Sequence, residues 1–373
     1  MKKENNQTIV SQRLYSLDAL RGFDMLWIMG LGFIIEDYST GKSSPFWHFM
    51  YGQVTHKVWD GFSSWDLIFP LFMFMAGVST PLSIDRSLEK GKTKNELLWK
   101  IVKRGLILII LGMIEENGLQ IQPISHFRFP SVLGKIGASY IFASIIYLYA
   151  GKKMQWFWFI GLLIGYWLLL KFTSAPGFPM GDLTEPGNFM SYFDRSVLPG
   201  RLSRGIHDTV GLLCTVTGVC TVLMGIFAGT FLKNKKYSQI HKVKWLAFAG
   251  VISIILGILW NYDFPFNKNL WSSSFVLLTG GISSLLLALF YYIIDVKGWQ
   301  RWSFPFRVIG MNSILIYMSP VFIDWAFTST ALFKWLQQLV GEPFGIIVIR
   351  IGAIVLQWLF LYFLYKKKIF LKV

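Results

Sequence analysis

The chain has 373 residues, with 36 Lys plus Arg against 20 Asp plus Glu for a net charge of +16, yet only 15% of its residues are charged and 54% are apolar. That composition, with a mean hydropathy of +0.49, excludes a disordered chain, a collagen-like rod and a small disulfide scaffold. The cations gather in short clusters between apolar stretches, which is the pattern of membrane orientation and not of nucleic-acid binding.

Apolar stretches of roughly 17 to 25 residues have the length a helix needs to cross about 30 Å of hydrocarbon. In chain order they predict crossings over 17–35, 63–84, 101–115, 132–149, 155–171, 209–231, 245–260, 271–295, 308–325 and 343–365. The expected fold is an all-α polytopic membrane protein of about ten transmembrane helices, as two five-helix halves. The third stretch is short and extends back through Lys100, Lys103 and Arg104 if their long side chains snorkel to the surface. A buried or re-entrant third segment is the alternative. No small-residue cleavage motif follows the first stretch, so 17–35 is expected to be a retained span.

The predicted organisation is a cytoplasmic segment over 1–16, a ten-helix domain over 17–365 and a basic cytoplasmic tail over 366–373. With the N-terminus inside, 25 of the 36 cations fall on the inner side, ten on the outer side, and Arg350 stays within the last span. That bias places both termini in the cytoplasm. Two long outer regions, 36–62 and 172–208, carry Gly, Pro, aromatics and charges, as a lid or binding surface does. Cys214 and Cys220 share one apolar stretch and imply neither a disulfide framework nor a metal site.

Polar residues inside so apolar a chain narrow its chemistry. Asp18, Arg21 and Asp24 recur at spacings of three, on one face near the cytoplasmic end of the first span. They fit either a helix-locking ion pair or the wall of a cofactor passage. Arg13, Lys103, Arg104, Arg301 and Arg307 supply inner cations for a phosphate-bearing ligand, although positive-inside orientation alone accounts for most of them. On the outer side, His56 stands beside the start of the second span. A neutral imidazole accepts a proton from an amine or alcohol, and Asp60 or Asp66 is placed to fix its tautomer. An interfacial hydrogen-bonding role for His56, and a capping role for Asp66, are the plainer readings. Asn269 and Asn312 offer amide groups to a sugar or a pantetheine arm, or else cap and join helices. Arg350 fits a salt bridge or a substrate contact.

Several motifs together resemble the heparan-alpha-glucosaminide N-acetyltransferase family of membrane acyltransferases, including its bacterial relatives. They are RLYSLDALRG at 13–22, WDG at 59–61 following His56, WDLIFPLFMFMAG at 65–77, FPSVLGKIGASY at 129–140, EPGNFMSYFDR at 185–195, HDTVGLL at 207–213, NKNLWSSSFVL at 267–277 and GMNSILIY at 310–317. The resemblance covers nearly the whole ten-span core. It implies a catalytic His56 on the outer side, assisted by Asp60 or Asp66, and acetyl-CoA entering from the cytoplasm and leaving as coenzyme A. It makes Asp18 and Arg21 organisers of the inner passage, and Asn269 and Asn312 candidates for its wall or reaction end. The acceptor it implies is an amino sugar or glycan on the periplasmic side of a bacterial inner membrane. No metal is expected, the clustering of the cations leaves no nucleic-acid partner, membrane lipids surround the bundle, and its apolar helix surfaces allow a homodimer.

Three departures bear on the acceptor. Asp60 stands where the family has Asn, Gly134-Lys135 where it has Gln-Arg, and Thr209-Val210 where it has Pro-Glu. The chain looks like a core-only form, without the added N-terminal region of the lysosomal relatives. Direct transfer and an acetyl-His56 intermediate would use the same residues, and orientation of the amine beside the thioester favours direct transfer. The competing expectations are O-acetylation of an envelope glycan and transport of a solute or ion through the bundle.

Overall fold

The computed structural model describes residues 14–371, so Arg13 and the last two residues of the basic tail lie outside the described residues. Among those described, every regular element is helical, and a single antiparallel bridge joins Asp60 to Asn267. With no water available to backbone N–H and C=O groups in hydrocarbon, helices satisfy them within one segment.

Among the described residues, seven helices are long and apolar enough to cross a membrane. They are α4 (Ile68–Glu89, entered through a 3-10 turn over Ser64–Leu67), α6 (Val132–Tyr149), α7 (Lys152–Phe172), α9 (Thr215–Lys233), α10 (Gln239–Asn261), α11 (Ser273–Phe290, continued by a π turn over Tyr291–Val296) and α15 (Phe344–Lys366). Other helices enclose 61–67% of α4, α9 and α11, but only 22–28% of α7, α10 and α15. The first three therefore form the centre of the bundle and the others its outward face. Helix starts follow from side-chain caps: Ser131 accepts from Gly134 N on α6, Ser238 from His241 N on α10 and Ser272 from Phe275 N on α11.

Three expected crossings depart from the plain form. The first is divided: α1 (Tyr15–Leu26) passes through a π turn over Trp27–Leu31 into α2 (Gly32–Ser39), and the break falls at Gly30, whose φ of 149° is open to glycine and strained for other residues. The aromatic ring of Trp65 lies against Gly32 so closely that a Cβ there would meet it at 1.8 Å. The third, α5 (Lys94–Asn117), does extend back through Lys100, Lys103 and Arg104, from a capping box between Thr93 and Glu96.

The ninth is not one continuous helix over 308–325. It is built from α12 (Phe304–Gly310), α13 (Ser313–Met318) and a 3-10 turn over Ser319–Val321, and the chain then bends by 82° into α14 (Trp325–Val340). Asn312 leaves helical geometry at φ −130°, Pro320 lacks a donor, and Asp324 caps a new helix by accepting from Phe327 N at 2.8 Å. The expected outer regions contain helices of their own, α3 (Pro45–Val54) and α8 (Phe189–Val197). Last-span Arg350 pairs with Asp37 of α2 at 2.8 Å.

Close approach of α4 and α9 depends on Gly225, where a Cβ would lie 2.0 Å from the carbonyl oxygen of Phe74. Backbone cannot retreat as a side chain can. Gly225→Ala is expected to destabilise the protein by about 1–3 kcal/mol through forced separation of the two helices, read as a lowered midpoint of thermal unfolding in detergent. An unchanged midpoint would contradict this packing.

Candidate active site

His56 follows α3 on an exposed loop and is held by the start of the next span. Its Nδ1 lies 2.7 Å from Asp66 Oδ1. Asp66 is itself buried, and its second oxygen, Oδ2, accepts from Ser63 N at 3.2 Å and from Ser63 Oγ at 2.9 Å in a capping box. One carboxylate thus serves two tasks, starting the helix with one oxygen and gripping the imidazole with the other. With Nδ1–H donating to Asp66, Nε2 carries the lone pair that accepts a proton. Asp60 does not touch His56. Its Oδ1 accepts from Asn267 Nδ2 at 3.1 Å, while Gly61 N donates to Phe266 O at 2.7 Å, tying the His56 loop to the segment before α11.

That segment also brings Lys268 to the histidine. Lys268 Nζ is 3.1 Å from Nδ1 and 3.2 Å from Nε2 of His56, and 3.5 Å from Asp66 Oδ1. Burial pushes its amine down to about 8, against the pull of Asp66 upward. The turn carrying it is tightly determined. Asn267 Oδ1 accepts from Leu270 N at 2.8 Å, Asn267 N donates to Ser272 Oγ at 3.1 Å, and Tyr166 OH donates to Leu270 O at 2.7 Å. Fully buried Trp271 is held at φ 51°, a left-handed conformation that costs a bulky residue energy and persists only where its surroundings enforce it. Its Nε1 donates to Thr221 Oγ1 at 3.0 Å, and its carbonyl accepts from Thr217 at 2.8 Å.

His56, Lys268, Trp65, Phe69 and Asn269 line a cavity of about 470 Å³. Asn269 donates to Val58 O at 3.3 Å and does not cap α11, a role taken by Ser272. Glu116 and Arg128 add a charged cluster to its lining. Arg128 donates through Nε and Nη2 to Asp208 at 3.0 and 2.9 Å and pairs with Glu116 at 2.5 Å. Asn117 fixes the Arg128 backbone at both N and O, at 2.8 Å each. Tyr317 completes this lining.

A second cavity of about 210 Å³ is lined by Arg21, Arg104, Tyr140, Met311 and Leu371, among others. The two cavities share Phe72, Ile136 and Ile314 as common wall. Helix α5 measures their separation: Arg104 in one and Glu116 in the other are twelve residues apart, or about 18 Å of helix. The bundle thus holds a polar cavity toward each end, with three apolar side chains between them. Among the described residues, buried Arg104 Nε has no hydrogen-bond partner, and its guanidinium lies 4.8 Å from the Tyr140 ring.

The remaining inner residues are placed around the second cavity. Arg21 donates to Ser79 and pairs with buried Asp18 at 3.8 Å. Asn312 clasps the C-terminal segment, donating to Ile369 O at 3.0 Å and accepting from Leu371 N at 2.9 Å. Lys103 is exposed, and Arg307 covers the Tyr15 ring at 3.9 Å; neither lines either cavity. Lys268, Arg128, Glu116 and Tyr317 were not among the predicted site residues. Lys268 and Tyr317 fall inside the motifs at 267–277 and 310–317, which could have singled them out, whereas Glu116 and Arg128 signal only as polar residues beside an apolar span, which orientation or solvation explains equally well.

These features define a polytopic helical membrane protein with polar cavities toward opposite ends of one bundle. Residues 13–193 match the family model described as heparan-alpha-glucosaminide N-acetyltransferase, catalytic. The chain is also 29% identical to the mouse heparan-alpha-glucosaminide N-acetyltransferase over 418 aligned positions, covering 97% of this chain and 61% of the relative. It is 30% identical to the human protein of the same name over 416 positions, covering 97% and 60%. This chain is therefore similar to the heparan-alpha-glucosaminide N-acetyltransferases along nearly its whole length, while spanning about three-fifths of the length of these two relatives.

Proposed function

We propose that this protein transfers an acetyl group from acetyl-CoA, bound at the Arg21 and Arg104 end, to the amine of a glucosamine-like sugar bound beside His56. The reading rests on one observation above all: His56, with Nδ1 engaged by buried Asp66, faces a cavity that shares a wall with a second, arginine-lined cavity.

Nε2 of His56 takes the proton of the acceptor amine as its nitrogen attacks the thioester carbonyl, and Asp66 stabilises the imidazolium that forms. Arg21 and Arg104 suit an anionic cofactor, the latter with a buried donor left unpaired among the described residues. Phe72, Ile136 and Ile314 keep bulk water away from the thioester between the two ends.

In the membrane, α1 with α2, α5, and α12 with α13 complete ten crossings beside the seven long apolar helices. The inner clusters of Lys and Arg put both termini in the cytoplasm and His56 on the periplasmic side of a bacterial inner membrane. The amino sugar would then be modified without crossing.

The test is reconstitution in liposomes with acetyl-CoA on the side of Arg104 and a panel of amino sugars on the other, with products identified by mass spectrometry. N-acetylated sugar dependent on acetyl-CoA is the expected result. Movement of unmodified sugar with no acetylated product would overturn the proposal, and an O-acetyl ester would redirect it to hydroxyl acceptors.

A further inference from the structure

Lys268 lies within 3.2 Å of both ring nitrogens of His56, yet the proton transfer from amine to imidazole does not use it. An ammonium is an expensive neighbour for a base, since it opposes formation of the imidazolium. The architecture nonetheless enforces the contact through the Asn267 hydrogen bonds, the Asp60 bridge and the left-handed Trp271. A group held so firmly beside the base, on the wall of the same cavity, invites a task that the base alone does not complete.

That task is the leaving group. Resting on the acetyltransferase reading above, we propose that Lys268 is a catalytic residue, an acid that protonates the departing thiolate of coenzyme A and is then recharged by His56. The acceptor nitrogen forms a bond to the carbonyl carbon, and its proton passes to Nε2 of His56. The C–S bond breaks with its electron pair on sulfur, and sulfur takes a proton from the Lys268 ammonium. The neutral amine, 3.2 Å from Nε2, then recovers the proton held by His56. The proton lost by the acceptor ends on the thiol, and both side chains return to their starting states.

Other charges around Lys268 leave this role to it. Asp66 is its anionic partner, and Lys135 lies behind the turn, with its ammonium 3.9 Å from the Trp271 ring and 2.9 Å from Cys214 Sγ. Arg128 is committed to Asp208 and Glu116, and Asp60 to Asn267. Lys57 and Arg204 also line the cavity, but neither carries a hydrogen bond to His56. An amine pushed down to about 8 by burial carries its proton at neutral pH and gives it up more readily than an ordinary lysine. As pH rises through about 8 the acid form is lost, so kcat should fall on the alkaline side.

The experiment measures thiol release and N-acetylated product across pH for the full-length reconstituted protein, Lys268→Arg and Lys268→Met. Arginine keeps the charge but does not release its proton near neutrality. The relay predicts that both variants lose roughly 10²–10⁴-fold in kcat, hold KM for acetyl-CoA within a few-fold, and lack the alkaline limb near pH 8. Lys268→Arg at near wild-type kcat would overturn the relay and leave a purely electrostatic or positioning role. A wild-type alkaline limb that persists in Lys268→Arg would also overturn it. An inactive wild type would remove the acetyltransferase reading and the relay together, whereas an active wild type with an active Lys268→Arg removes the relay alone. If Lys268→Met does not fold, the Arg variant still decides.

Discussion

His56→Ala should abolish acetyl transfer, with kcat falling by roughly 10²–10⁴-fold as general-base catalysis is lost, while acetyl-CoA still binds at the Arg21 and Arg104 end. The fold should survive. His56 is exposed, its side chain contributes little to the buried core, and Asp66 keeps its capping bonds to Ser63 without it. The variant nevertheless leaves Asp66 Oδ1 with Lys268 alone at 3.5 Å, so a small change in thermal midpoint is expected. Transfer assays on detergent-purified protein, paired with unfolding curves and titration of coenzyme A binding, separate the two effects. Near-normal turnover in a folded His56→Ala would remove the base from the mechanism.

Ile314→Trp should have the second largest effect, about 10²-fold on transfer, because it fills the junction where the two cavities share a wall. Ile314 sits on α13, half-buried, and touches neither His56 nor the arginines through any polar bond. An indole there would hold the thioester away from the acceptor without removing a catalytic group. The expected signature is a collapse of kcat with binding of acetyl-CoA retained, and with Ile314→Leu close to wild type because volume is conserved. If both variants transfer at the wild-type rate, the acetyl group does not pass this neck.

Legibility in the sequence tracked the range of the interactions involved. The long apolar runs announced α4, α6, α7, α9, α10, α11 and α15, with ends off by up to about six residues as at the starts of α9 and α10, because hydrocarbon length and local hydrophobicity are properties of one segment. The divided ninth element was harder. Gly310, Asn312 and Pro320 are visible as interruptions, but the 82° bend into α14 depends on what the following residues pack against. His56 stood out through its chemistry and family motif, whereas the choice between Asp60 and Asp66 stayed open because both lie near it in the chain. Only folding shows that Asp66 reaches Nδ1 and that Asp60 turns to Asn267. Lys268 is 212 positions from His56, and Arg128 is 80 from Asp208, so neither pairing leaves a periodic or spacing signal. Likewise, Arg104 as a lining residue and Lys103 as an exposed one differ by a single helical step in an otherwise similar basic cluster.

The contact between Gly32 and Trp65 has a consequence for breadth of substrate. Trp65 lines the His56 cavity, with its ring centroid 6.2 Å from that of the imidazole, and its far side rests on bare backbone of α2. This part of the cavity wall is therefore backed by main chain that cannot be trimmed further, and enlarging it requires shortening the indole itself. Under the proposed function, variants with a smaller side chain at the Trp65 position would be the natural place to look for tolerance of bulkier acceptors.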